Sequence, residues 1–293
     1  ATFVMDRLLY RLGLHGRSFI PLLLGFGCNI ASVMAARTID REEDRLLTIV
    51  VSPFISCSAR LPIYVLIGGA VLGAYAAVAV FSMYVLGIAM AIGTALLLRT
   101  VVPSLRRGRG ALILELPMYA RPTLRSLLAH MYERGVLFVR KAGTIIFGAM
   151  LFIWFLATHP WGATSGGQLV ENSYAAMIGK ALEPLFRPLG FDWHAVVALM
   201  LGFIAKEIVV ETLGILLGGG GVGLSDAIAS SFTPVTGLAF MAFTLLYMPC
   251  VATLGTVYGE TNSLKWTTFT VFYGLLMAYL VAFLIVAFGS LVT

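Results

Sequence analysis

Apolar runs long enough to cross a bilayer recur along this chain, and several carry helix breakers at mid-run. The runs lie at 18–36, 46–69, 71–98, 142–158, 194–217, 236–258 and 266–289, each near the roughly 20 residues that a spanning helix needs. In hydrocarbon every backbone N–H and C=O must find its partner inside the protein. The expected fold class is therefore all-α, a polytopic helical membrane bundle. Composition agrees: 59% of residues are hydrophobic and 12% charged, against roughly 25% charged in a soluble domain. So few charges cannot cover a soluble surface. The net charge of +6 fits basic cytoplasmic loops and gives no reason to expect nucleic acid. All 3 cysteines sit in apolar runs, which argues against a disulfide framework. The chain starts at Ala1 with no signal-peptide pattern, so a piece of a longer protein is expected.

Residues 99–141 carry Arg99, Arg106, Arg107, Arg109, Arg121, Arg125, Arg134, Arg140 and Lys141 against Glu115 and Glu133. The positive-inside rule reads this as a cytoplasmic loop, within which 123–140 can form an interfacial helix. Residues 159–192, with His159 and Trp161 and followed by Trp193, read as the outer side with an aromatic belt. Counting back from the basic loop, RTIDREEDR (37–45) is also cytoplasmic. Arg7, Arg11 and Arg17 stay inside only if 18–36 turns back at GFGCN. A re-entrant segment is expected there, with Gly25, Gly27 and Asn29 at the turn, because glycine permits tight backbone turns.

The second half echoes the first. Leu24-Gly25-Phe26 recurs as Leu201-Gly202-Phe203, followed by Cys28-Asn29 in one case and Lys206-Glu207 in the other, and PFISC (53–57) is echoed by MPCVAT (248–253). Each half then holds a broken segment, a proline-interrupted segment and a plain helix. The expected division is a first repeat at 1–98, a basic cytoplasmic loop at 99–141 and a second repeat at 142–293. If 194–217 is re-entrant from the outer face, the repeats are inverted, as in secondary transporters that bind substrate where broken helices meet.

A lone membrane cysteine is usually a small hydrophobe. Here Cys28, Cys57 and Cys250 each adjoin a breaker or a polar cluster: Gly27 and Asn29, Pro53, and Pro249. Helix breaks free carbonyls, and thiolates are soft metal ligands. Three such places brought together would line a path for a soft or borderline cation. Glu207 and Glu211 lie one turn apart beside Lys206. Intramembrane charges are functional hypotheses by default, and a structural Lys206–Glu207 pair is the alternative. Glu260 reads either as a ligand or as an interfacial loop charge. Arg60 has five donors to cap carbonyls freed near Pro53 and Pro62 and reads as structural. The four histidines show no HExxH spacing and no GxxxxGK[ST] occurs, so neither a zinc hydrolase nor a P-loop motor is indicated. A transporter is expected, and no enzyme.

The stretches FVMDRLLYRLGLHGRSFIPLLLGFGCNIASVMAARTI (3–39), RLLTIVVSPFISCSARLPIY (45–64), RKAGTIIF (140–147), LGFIAKEIVVETL (201–213) and LYMPCVATLGTVYGETNSLKWT (246–267) resemble the membrane domain of the ferrous iron transport protein B (FeoB) family. The likeness runs in order over nearly the whole chain. It departs at Ala31, where the family usually has proline, and the family's N-terminal GTP-binding domain and further membrane helices are not in this chain. The resemblance implies two Gate-type repeats, similar to those of nucleoside transporters, and Fe(II) uptake across a bacterial or archaeal inner membrane. It implies coupling to the GTP-binding domain, with GTP bound only there and no organic cofactor in this chain, and small accessory proteins of the uptake system as partners. A homo-oligomer stays open.

Cys28, Cys57 and Cys250 match the family's proposed metal path, and Glu207 matches one of its acidic positions. On this reading Asn29, Ser56 and carbonyls around Pro53 and Pro249 add hard oxygen, while Gly25, Gly27 and Gly202 let the broken segments move. Lys206, Glu211 and Glu260 are further path or gating candidates. The competing expectation is a Gate-type nucleoside or other small-solute transporter using Glu207, Asn29 and Phe26.

Overall fold

A computed structural model describes residues 13–102, 173–217 and 223–292, with isolated positions at 5, 9, 105 and between 123 and 155. Most of the basic segment 99–141, the run at 142–158, the stretch around His159 and Trp161, and Gly218–Gly221 lie outside the described residues. The helices are α1 (Phe19–Gly25), α2 (Asn29–Ala35), α3 (Glu42–Val51), α4 (Leu61–Leu72), α5 (Ala76–Val101), α6 (Tyr174–Phe186), α7 (Trp193–Gly202), α8 (Ile208–Leu217), α9 (Leu224–Ser231), α10 (Pro234–Leu246), α11 (Val251–Thr261) and α12 (Leu264–Val292). No strand occurs among the described residues. Among the described residues three helical runs are long and apolar enough to cross a membrane: Glu42–Val101, Pro234–Thr261 and Leu264–Ser290. Their outer faces carry exposed Val78, Phe81, Val85, Phe272, Leu276 and Phe288, as lipid contact requires. This is a membrane protein built of helices.

Four of the apolar runs are each two helices with a gap between them. In the first, the helix stops at Phe26 and restarts after Cys28, whose backbone is extended at φ −150° and ψ 126°. The segment folds back on itself: Arg17 before α1 forms an ion pair with Asp40 beyond α2, and α1 packs along α2. In the second, Pro53 and Pro62 flank two 3₁₀ turns, Ser52–Phe54 and Ser58–Arg60. The third gap runs from Phe203 to Glu207, between α7 and α8, which pack together. The fourth runs from Tyr247 to Cys250, both extended. Gly68 and Gly69 lie inside α4, and the turn to α5 is at Gly73, where φ is 52°.

The ends of the helices follow side-chain chemistry. Glu42, Glu43 and Asp44 fill the first turn of α3 and complement its dipole. Thr233 and Thr236 form a capping box over Pro234 at the start of α10, and Asn262 closes α11 in the left-handed region at φ 47°. Asp192 accepts from the Ala195 N–H at 3.1 Å and sits 2.9 Å from His194 Nδ1. Burial raises this carboxyl, but the bonds to His194 and Ala195 outweigh it and hold the group below the usual carboxylate range. The cap is therefore fully present above pH 4 and fades as pH falls below the folded-state value. Asp192→Ala is expected to cost about 1 kcal/mol, read as a lower melting midpoint in detergent at pH 7. The difference from wild type should shrink on acidification.

The core joins α4 and α5 to α10, and α10 to α12, while α2 lies along α11. Gly25 and Gly202 hold close approaches here, and neither adopts a positive φ. A Cβ on Gly202 would stand 2.2 Å from Val209 Cγ2 and 2.8 Å from Tyr247 Oη. One on Gly25 would stand 3.2 Å from Ile55 Cγ2. Tight packing against the gaps is thus a structural reason for these two glycines. Gly202→Ala is expected to destabilise by about 1–3 kcal/mol through overpacking, seen as early thermal aggregation of purified protein.

Candidate metal path

All four gaps meet at one cavity of about 250 Å³. Gly27, Cys28 and Asn29 line it from the first gap; Cys57, Ser58, Ala59 and Arg60 from the second; Ile204 to Glu207 from the third; and Cys250, Ala252 and Thr253 from the fourth. Water occupies roughly 30 Å³ per molecule in the liquid, so the space suits an ion with about one shell of water. The three cysteines are free thiols. Each immediately precedes a helical turn: Cys28 before α2, Cys57 before Ser58–Arg60, and Cys250 before α11. Cys250 Sγ lies 3.0 Å from Thr253 Oγ1. Among the described residues no three of His, Cys, Asp and Glu lie close enough to hold an ion together.

The broken backbone is satisfied in a matching way on the two sides. Gly27 O accepts from Ser58 N at 3.2 Å and from Ser58 Oγ at 2.8 Å. Phe203 O accepts from Val251 N at 3.1 Å. Ser58 follows Cys57 as Val251 follows Cys250. A buried basic side chain also caps each proline break. Arg60, fully buried, donates from Nη1 and Nη2 to Pro53 O at 3.2 and 3.1 Å and from Nη1 to Ile55 O at 3.0 Å. Lys206, 3% exposed, donates to Met248 O at 3.0 Å and stands 3.2 Å from the centre of the Tyr247 ring.

Several residues named from sequence lie elsewhere. Lys206 makes no ion pair with Glu207 in the structure; Glu207 is exposed into the cavity. Glu211 is exposed on α8 and outside the cavity lining. Ser56 is buried away from the cavity, donating to Tyr64 Oη at 3.2 Å. Pro53 and Pro249 shape the gaps without lining the space. Glu260 sits at the far end of α11, where Arg37 Nε and Nη2 donate to its two oxygens at 2.6 and 2.5 Å. Ile30 packs with Ala252 beside the cavity, and Val33, Ala36, Ile39 and Ile49 pack with Val257. Phe26, a candidate for stacking on a base, instead stacks on Tyr84 with ring centres 6.2 Å apart. Asn29 is 5% exposed, and its Oδ1 has no hydrogen-bond partner.

Sequence reasoning missed Ser58, Thr253, Tyr247 and Arg37. Ser58 and Thr253 had a signal, since they lie one and three residues after a path cysteine. Arg37 and Tyr247 had none.

The family profile described as "Nucleoside recognition", the Gate family, matches residues 1–71 and 139–264, and "Ferrous iron transport protein B C terminus" matches 80–134, between them. The chain belongs to the Gate family. A Methanocaldococcus jannaschii protein named Fe(2+) transporter FeoB is 45% identical over 99% of this chain and 44% of its own length. The Staphylococcus aureus MSSA476 protein of the same name is 42% identical over 98% of this chain and 43% of its length. In Porphyromonas gingivalis, a protein named Fe(2+) transport protein A/Fe(2+) transporter FeoB fusion protein is 36% identical over 99% of this chain and 40% of its length. The chain thus spans less than half the length of these FeoB relatives. No solved structure matches.

Proposed function

We propose that this Gate-type chain carries Fe(II) across a membrane through the cavity where its four helix gaps meet. The observation that carries the reading is that the chain's three cysteines line that one cavity together with Asn29 and Glu207. Fe(II) stands low in the Irving–Williams order and accepts both sulfur and oxygen ligands. Cys28, Cys57 and Cys250 supply thiolate in turn, Asn29 Oδ1 supplies a neutral oxygen, and Glu207 offsets charge. A transporter needs contacts weak enough to leave, and ligands spread around a cavity suit that better than a closed cage. The apolar α2–α11 seam, clasped by Arg37 and Glu260, closes the cavity toward the side we read as cytoplasmic.

The same reading makes residues 1–98 and 142–293 two inverted Gate repeats around a basic loop at 99–141. It places the chain in a bacterial or archaeal inner membrane as a multi-pass protein, coupled in the full-length protein to a GTP-binding domain. The name of the Porphyromonas relative supports a small accessory partner of the transport protein A kind. A second reading, nucleoside transport, draws on the description of the matching profile. Against it, the described residues of the cavity lining include no aromatic ring on which a base could stack. Anaerobic uptake of radioactive Fe(II), in cells lacking other iron importers and expressing the full-length protein, tests the proposal. Iron accumulation above vector control supports it. No iron uptake, with labelled uridine taken up instead, overturns it.

A further inference from the structure

We propose that Lys206 is a tethered cation that occupies a metal position while the cavity is empty, and that the transported ion must displace its ammonium to gain the Met248 carbonyl. This rests on reading the cavity as a metal path. The Nζ atom has the surroundings a metal ion would seek. Met248 O lies 3.0 Å away, the Tyr247 ring centre 3.2 Å away, and Glu207 and Cys250 line the same space. An aromatic face attracts a desolvated cation, and the freed carbonyl at a proline break is an oxygen ligand held ready.

Arg60 provides the contrast. Its planar fork makes three hydrogen bonds onto two carbonyls of the other proline break, and it stays. Lys206 holds one carbonyl through a flexible four-carbon stem, a compact charge with rotatable donors. It is able to swing aside without unmaking the fold. Asn29 occupies the position that corresponds to Lys206 after the other Leu-Gly-Phe motif. One side of the cavity therefore offers an orphan acceptor and the other a resident cation.

Charge closes the argument. An arriving divalent ion meets Arg60, Lys206 and Glu207 in the cavity lining. With it bound, Lys206 repels it and favours release. The residue thus trades affinity for turnover and favours a divalent over a monovalent ion, because a monovalent ion gains no more than the ammonium it displaces.

The test uses full-length protein in nanodiscs, titrated anaerobically with Co(II) as an Fe(II) surrogate and followed by thiolate-to-cobalt absorption. Lys206→Gln removes the charge while its amide can still donate to Met248 O, and Lys206→Met removes both. Each is expected to bind Co(II) about tenfold more tightly than wild type, and the Gln protein to show slower Fe(II) uptake. A folded Gln variant that binds Co(II) no more tightly than wild type overturns the inference and leaves the metal path intact. A wild type without a thiolate–cobalt band overturns the metal path and the inference with it.

Discussion

Cys57→Ser is expected to lower anaerobic Fe(II) uptake by at least about tenfold at matched expression, the loss that corresponds to about 1.4 kcal/mol of stabilisation along the path. The exchange keeps the size of the side chain and replaces a soft sulfur by a hydroxyl, so folding should survive. Cys57 is the most enclosed of the three, 9% exposed, and it sits where the second gap turns toward the cavity. Cys28→Ser and Cys250→Ser should reduce uptake as well. Because Cys250 already contacts Thr253 Oγ1 at 3.0 Å, its serine variant keeps a hydrogen bond there. The readout is cell-associated radioactive iron against a vector control. Uptake unchanged in all three serine variants would return the cysteines to the role of packing residues and leave Glu207 and Asn29 to carry the ion.

Arg60→Met is expected to abolish assembly instead of transport. The methionine fills part of the volume but leaves the Pro53 and Ile55 carbonyls unpaired in a fully buried place. Each orphaned carbonyl costs about 1–3 kcal/mol, so two cost about 2–6 kcal/mol, a large part of the stability of an ordinary domain. The variant should be recovered from membranes at a small fraction of the wild-type level and should aggregate on detergent extraction. Arg60→Lys should rescue only partly, since one ammonium cannot reproduce the fork that spans two carbonyls. Wild-type yield and melting behaviour for Arg60→Met would show that water, not the guanidinium, satisfies this gap.

The gaps themselves were readable. Proline at 53, 62 and 249 and glycine at 25, 27 and 202 interrupt otherwise apolar runs, and the arginines around residues 7–17 and 37–45 argued that the first run turns back, as the Arg17–Asp40 pair now bears out geometrically. What sequence could not supply was direction. Ser56 and Ser58 are two of three consecutive polar residues, and only the backbone decides that Ser58 faces the cavity while Ser56 meets Tyr64. Lys206 beside Glu207 suggested a pair, yet adjacent residues do not face each other, and the ammonium goes to a carbonyl 42 residues away. The Arg37–Glu260 clasp spans 223 residues, beyond any local pattern. Gly202 also has a packing role, because its hydrogen is needed where Val209 and Tyr247 press in, which no periodicity reveals.

The pairing of the gaps bears on how such a chain is made. Gly27 is tied to Ser58, Arg60 to Pro53 and Ile55, and Ser32 to Ser52, all within the first 60 residues. Phe203 is tied to Val251 and Lys206 to Met248, all within about 50 residues of the later part. The ribosome delivers the first set long before the second exists. Each set supplies partners to the carbonyls of its own gaps, so the early segments can wait in lipid with those carbonyls paired while the rest is synthesised. Only the cavity, which needs both, is withheld until the second set has been made.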